Sequence, residues 1–164
     1  MALLFKNIKY KIIELTPIIL LFIIAFNGIS IFDFDFFSVN ILYILVYFWV
    51  LRQPKILGNG VIFLSGIITD VVVGFPIGST AVSVLIIAGI AAYVRVVTVR
   101  ISLVNDWISF IPALLVANLV YFMALYFSDY SIDYIYLFKN SISTFIFYPF
   151  LWFIFSMLLN LMRS

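Results

Sequence analysis

The sequence predicts an all-α integral membrane protein, a six-transmembrane-helix bundle with both termini in the cytoplasm. Three observations lead to this fold class. Of the 164 residues, 66% are hydrophobic and 10% are charged, whereas a soluble domain is typically about half apolar and about a quarter charged. The apolar residues form six continuous stretches without an alternation of period two, which favours helices over the strands of a membrane barrel. The basic residues, finally, lie almost entirely on one side of the predicted membrane.

The predicted spans make up a single transmembrane domain over residues 1–164, because no linker rich in Ser, Gly or Pro divides the chain. They cover approximately residues 16–31, 36–51, 56–73, 77–97, 107–127 and 141–162. A hydrocarbon core of about 30 Å requires about 20 helical residues, and the last three stretches reach that length. The first three are slightly short, so they require flanking residues or local thinning of the bilayer.

The orientation follows from the distribution of Lys and Arg. We expect the first span to be retained, because Phe26-Asn27-Gly28 follows it where a signal-peptide cleavage site would need small residues. With the N-terminus inside, six crossings place eight of the nine basic residues in the cytoplasm and only Lys139 outside. The eight are Lys6, Lys9, Lys11, Arg52, Lys55, Arg95, Arg100 and Arg163. Both termini are therefore predicted to lie in the cytoplasm.

The composition argues against several classes of function. The chain contains no Cys and no His, which removes disulfides, thiolate nucleophiles, Cys/His zinc sites and the usual proton shuttle. Phosphate-binding, hydrolase and dinucleotide motifs are missing. A net charge of +2 without a basic run does not suit nucleic acid. We therefore expect a protein that is not an enzyme and that needs neither a metal nor another cofactor.

The main candidate site is the stretch from Gly66 to Thr80, because Asp70 is a carboxylate within an apolar span. Gly66, Asp70 and Gly74 recur every four residues and lie on one helical stripe, where glycines allow another backbone to approach. Pro76 and Gly78 are expected to turn the chain, and Ser79 or Thr80 to cap helix four. Asp70 itself could cap that helix, be hydrated near the interface, contact a partner or ligand, or relay a proton.

Secondary candidates lie on helices four and five. Asn118 adds a polar group to a small-residue face formed by Ala113, Ala117 and Ala124, and helix four offers Ala88, Gly89 and Ala92 in the same way. Arg95 and Arg100 are expected to anchor the topology, and they could also contact anionic lipid or a cytoplasmic partner.

The sequence Gly66-x-x-x-Asp70-x-x-x-Gly74-x-Pro76-x-Gly78 resembles the bacterial rod shape-determining protein MreD family. The similarity extends to the small size, the six apolar spans, the basic start and the short loops. It implies a non-enzymatic, multi-pass subunit of the cell-wall elongation machinery in the cytoplasmic membrane. The implied partners are MreC, RodA with its penicillin-binding transpeptidase and, indirectly, the actin-like MreB.

The alternative is the substrate-capture subunit of an energy-coupling-factor vitamin transporter, which is similarly small and has about six spans. Two features argue against it. A ligand pocket needs several convergent polar groups, and the spans supply little beyond Asn27, Asn118, Asp70 and some hydroxyls. These subunits also typically carry small residues at four-residue spacing in the first helix, where Ala25 is here followed by Ile29.

Overall fold

The computed structural model describes residues 2–28, 38–98, 102–130 and 133–163, and within them every regular element is an α-helix. The helices are α1 (Ala2–Asn27), α2 (Ile41–Arg52), α3 (Asn59–Val73), α4 (Ser79–Val97), α5 (Leu103–Phe127) and α6 (Tyr134–Arg163). All six predicted spans overlap one helix each, in the predicted order. The candidate residue Arg100 lies outside the described residues.

Among the described residues, three helical segments are long and apolar enough to cross a membrane: α4, α5 and the part of α6 from Tyr134 to Leu161. The shorter apolar segments are Leu15–Asn27, Ile41–Arg52 and Asn59–Val73. The predicted shortness of the second and third spans is confirmed, whereas α1 as a whole has 26 residues. The largest differences in boundary are at α1, which begins 14 residues before the predicted 16, and at α6, which begins seven residues before the predicted 141.

The short helix α2 lies at the centre of the fold. Every residue from Ile41 to Leu51 is buried, as expected for a helix that is apolar on all sides. It packs against α1, α4 and α6, and α4 packs in turn against α3 and α5. A helix of 12 residues is only about 18 Å long, so both of its ends lie inside the protein, and each end is surrounded by polar side chains.

Within the described residues, three helices have a side-chain N-cap, which accepts hydrogen bonds from backbone N–H groups of the first turn. Asn40 accepts from Tyr43 at 3.1 Å at the start of α2, and Ser102 from Asn105 at 3.3 Å at the start of α5. Asp133 accepts from the two backbone N–H groups of Ile135 and Tyr136 before α6. These are the residue types that N-cap positions favour.

One predicted packing face is absent from α4. Gly89 has open space around the position of a Cβ atom, and Ala92 is exposed, although Ala88 is buried. The face of α4 that packs instead contains Ala81, Val84 and Ala91, which are buried completely. On α5, two residues of the predicted small-residue face, Ala113 and Ala117, are fully buried, and the third, Ala124, is half-buried.

Candidate functional site

Asp70 caps the N-terminus of α4 from the facing helix α3. Its Oδ2 atom accepts a hydrogen bond from the backbone N–H of Gly78 at 2.8 Å, and its Oδ1 atom accepts one from that of Thr80 at 2.9 Å. The hydroxyl of Ser79 donates to Oδ1 at 3.0 Å. The carboxylate is fully buried, and a negative charge in this position is favoured by the helix dipole. Of the four roles considered for Asp70, capping is the one that the hydrogen bonds show.

The cap does not come from α4 itself, as the sequence suggested it could. The residue before the helix is Gly78, and no side chain of its own segment caps it. Ser79 acts as a donor to Asp70 rather than as an acceptor, and the hydroxyl of Thr80 has no partner within the described residues.

The backbones of α3 and α4 approach each other closely at Gly66. A Cβ atom built on Gly66 would lie 2.3 Å from the Cα atom of Ala81 and 2.7 Å from its backbone nitrogen. Real Cβ atoms do not approach a backbone this closely, so only glycine fits between the two helices. The predicted packing role of Gly66 is therefore confirmed, and the backbone that approaches it belongs to α4 of the same chain.

Gly74 has a different role from the one predicted. A Cβ atom there would meet nothing within 4 Å, so it is not a packing residue. Gly74 instead ends α3 in the left-handed conformation, with φ at 80°, and its N–H and that of Phe75 both bond to the carbonyl of Asp70. This is a glycine C-cap, and the four-residue spacing alone does not separate it from a packing glycine.

The turn after Gly74 follows the prediction. The carbonyl of Pro76 accepts from the N–H of Ser79 at 3.1 Å, and Gly78 has a φ of 103°, which glycine adopts without strain. We call the unit formed by α3, this turn and α4 the Asp70 hairpin. Gly66 and Asp70 are buried in it, whereas Gly74 is exposed. Its outward surface is apolar: Val71, Val72 and Ile77 are exposed.

The secondary candidates have distinct environments. Asn118 donates its amide hydrogen to the hydroxyl of Ser141 at 2.7 Å and so links α5 to α6. Arg95 lies exposed in the last turn of α4, where a positive charge is favourable.

The sequence interpretation missed a second buried carboxylate, Asp106 in the first turn of α5. Its Oδ2 atom accepts from Arg52 at 2.8 Å, in an ion pair, and from the indole nitrogen of Trp152 at 3.0 Å. The guanidinium of Arg52 lies 5.1 Å from the ring centres of both Phe48 and Trp152, a cation–π geometry. Arg52 therefore has a structural role in addition to the topological one predicted for it.

A polar cavity of about 160 Å³ lies at the opposite end of α2, beside the turn of the Asp70 hairpin. We call it the asparagine cavity, because four asparagines line it: Asn27, Asn40, Asn118 and Asn140. Tyr43, Tyr121 and Tyr136 add three phenol groups, and none of the described residues in its wall is charged.

The asparagine cavity corrects one argument from the sequence. The spans were expected to supply too few convergent polar groups for a ligand pocket. Asn40 and Asn140 were overlooked for two reasons. Each lies near the end of a predicted span, 36–51 or 141–162, and the two residues are 100 positions apart in the chain. The fold brings them together through Ser38 and Thr144: Asn140 donates to Ser38, and the N–H of Asn40 donates to Thr144.

No protein-family model matches the chain, and no curated protein and no solved structure shows a significant similarity to it. Any functional assignment consequently depends on the residues and on the geometry described above.

Proposed function

We propose that the chain is a non-enzymatic membrane subunit of the bacterial cell-wall elongation machinery, which scaffolds peptidoglycan synthesis through MreC and the associated synthases. The observation that carries the proposal is the Asp70 hairpin. The residues on which the MreD resemblance rests form one structural unit. In it, Gly66 leaves space for the backbone of Ala81, and Asp70 caps α4. A hairpin fixed at both of these points presents a surface of constant shape, as a scaffold requires.

The proposed placement is a bundle that crosses the cytoplasmic membrane six times with both termini inside. The three long apolar helices support a membrane location, and the basic-residue count supports the orientation. Because the chain has no cysteine, single cysteines at exposed positions test it. Ser128→Cys should react with an impermeant maleimide on intact cells, and Asn59→Cys and Ser102→Cys only after the membrane is opened. External labelling of Asn59→Cys would contradict this orientation.

The proposed contact with MreC is the outward surface of the hairpin, not the motif itself. The oxygens of Asp70 are already occupied by hydrogen bonds from Gly78, Ser79 and Thr80, so a partner would meet the apolar side chains that the hairpin displays. Ile77 is the most prominent of these, with 75% of its surface exposed. RodA with its penicillin-binding transpeptidase and, indirectly, MreB are the further proposed partners.

Co-purification of MreC with the tagged chain in mild detergent tests this function. Wild-type chain should retain MreC, and Ile77→Ser should lower the recovery roughly tenfold, since burying an isoleucine side chain contributes about 1.5–3 kcal/mol. The matched control is Val96→Ser, which changes an 85% exposed apolar residue at the other end of α4 and should leave recovery unchanged. Absence of MreC from the wild-type preparation would refute the proposal.

A second candidate is the vitamin-capture subunit, and the asparagine cavity is the observation that favours it. Four amides and three phenols around 160 Å³ provide the convergent polar groups that such a site needs. Depletion of the chain separates the two functions. Loss of wall elongation should round rod-shaped cells and disperse wall synthesis without any vitamin requirement, whereas rescue by a supplied vitamin would favour the transporter.

A further inference from the structure

The asparagine cavity shares part of its wall with a second depression that is apolar and open to the outside of the bundle. This depression, the α5–α6 groove, has a volume of about 320 Å³. Leu115, Leu119 and Phe122 line it from α5, and Tyr134 and Phe138 line it from α6. Asn118 and Leu137 line both the groove and the asparagine cavity, so the polar and the apolar compartments adjoin.

The polar compartment is suited to an uncharged group that both donates and accepts hydrogen bonds. Asn118 and Asn140 donate through their amide nitrogens to serine hydroxyls, which leaves their amide oxygens as acceptors for a ligand, within the part of the chain that the structure describes. Asn40 accepts through its amide oxygen, which leaves its NH₂ group as a donor. Without a basic side chain in the described wall, the cavity offers nothing to neutralise a phosphate or carboxylate.

The size of the cavity limits that group to a single ring. An engineered apolar cavity of about 150 Å³ in another protein holds one benzene molecule, and the asparagine cavity has about 160 Å³. Phe75 and Tyr121, whose rings are in edge contact, line the cavity and supply an apolar surface for the face of a ring.

We propose that the asparagine cavity and the α5–α6 groove form one binding site for a membrane amphiphile, with an uncharged single-ring headgroup in the cavity and a hydrocarbon chain in the groove. A neutral glycolipid has this chemistry. The continuity of the two compartments at Asn118 and Leu137 argues for a ligand with two parts. A free polar molecule would use only the cavity, and an ordinary lipid chain only the groove. The site is independent of the proposed partner, so its failure would not affect the wall-elongation proposal.

Native mass spectrometry of the protein in a polyoxyethylene detergent tests the site, since sugar-based detergents would compete. The probes are monogalactosyl diacylglycerol, diacylglycerol with the same chains, and phosphatidylglycerol with the same chains. The galactolipid should be retained roughly tenfold more than the other two. Equal retention of all three would mean that lipid merely surrounds the bundle, and would overturn the proposal.

Two substitutions probe the two compartments separately. Tyr121→Phe removes one phenol from the cavity while keeping the ring, and should lower retention of the galactolipid roughly threefold to tenfold. Tyr93→Phe, at an exposed tyrosine on α4, is its control. Leu119→Trp fills the groove and should lower retention by a similar factor, whereas Val116→Trp, on the same helix and exposed but outside the groove, should not.

The remaining outcomes also decide the question. Retention unchanged by both Tyr121→Phe and Leu119→Trp would overturn the site. Protection of the protein against thermal unfolding by free galactose, to the same extent as by the galactolipid at equal concentration, would overturn the amphiphile and favour a small soluble ligand. Loss of binding in Tyr121→Phe and Leu119→Trp, with both controls retaining the galactolipid, would support the proposal.

Discussion

Asp70 and Asp106 are both buried aspartates, with exposed fractions of 0% and 1%, but the protein compensates their charges in different ways. Asp70 is bound by two backbone N–H groups and one hydroxyl, all of them eight to ten residues further along the chain. Asp106 is bound by the guanidinium of Arg52 and the indole of Trp152, which are 54 and 46 residues away. The carboxylate of Asp70 is therefore stabilised by dipoles of neighbouring residues, and that of Asp106 by the full charge of a residue that is distant in sequence.

The difference determines what each residue holds together. Asp70 fixes one hairpin, because all of its donors belong to the turn and the start of α4. Asp106 ties the end of α2 to α5 and α6, and α3 and α4 separate α2 from both of them in the sequence. Removing one member of a buried ion pair leaves an uncompensated charge and typically costs about 3–5 kcal/mol, whereas removing a helix cap costs about 0.5–2 kcal/mol. We expect the Asp106 site to matter more for the stability of the whole bundle.

The largest expected effect is therefore that of Asp106→Leu. It leaves Arg52, a side chain with only 16% of its surface exposed, without its counter-charge, which costs about 3–5 kcal/mol in free energy of unfolding. Unfolding by SDS in mixed micelles, followed by tryptophan fluorescence, measures this value. The double variant Arg52→Met/Asp106→Leu should recover most of the loss, because a buried ion pair can be replaced by apolar residues. A double variant as unstable as the single one would show that the ion pair is not the cause.

The two aspartates also differ in how far the sequence predicted them. Asp70 lies in the middle of an apolar stretch with glycines four residues away on each side, and its donors lie close by in the chain. The local pattern was therefore sufficient to identify it. Asp106 lies one residue before the predicted span 107–127, where a charge is unremarkable, and no local pattern pairs it with Arg52. Contacts across 46 and 54 residues depend on how the helices pack, which hydropathy does not specify.

The limits of local sequence patterns also explain why Gly74 was assigned the wrong role and why the asparagine cavity was missed. Gly74 was assigned to packing from its spacing, although Pro76 two residues later indicated a helix end and hence a C-cap. The cavity joins residues from α1, α2, α3, α5 and α6, each of them unremarkable within its own segment. The helices and their order were predictable, but the sites formed where several helices meet were not.

An intermediate effect is expected for Gly66→Ala, which tests whether the Asp70 hairpin depends on backbone contact as well as on the cap. The new Cβ atom would lie 2.3 Å from the Cα atom of Ala81, so α3 and α4 must separate, at a cost of about 1–3 kcal/mol. Gly89→Ala is the matched control, because that glycine is also helical but has nothing within 4 Å of its Cβ position. It should raise the stability in the same SDS assay by up to about 1 kcal/mol through helix propensity. A loss in both variants would indicate that the contact with Ala81 is not decisive.

The smallest effect is expected for Asp70→Asn, and it isolates the charge from the hydrogen bonds. An asparagine oxygen at the Oδ2 position can still accept from the N–H groups of Gly78 and Thr80, which lie 2.8 and 3.2 Å away. Its NH₂ group at the Oδ1 position can donate to the hydroxyl of Ser79, which can reverse its role and accept. What is lost is one charge-assisted contact with the N–H of Thr80, so we expect a decrease of about 1 kcal/mol in free energy of unfolding. Asp106→Asn should cost clearly more in the same assay, because no rearrangement of an amide supplies a counter-charge to Arg52. Equal losses in the two variants would mean that Asp70 also depends on a full positive charge, and the distinction between a local cap and a distant ion pair would then be wrong.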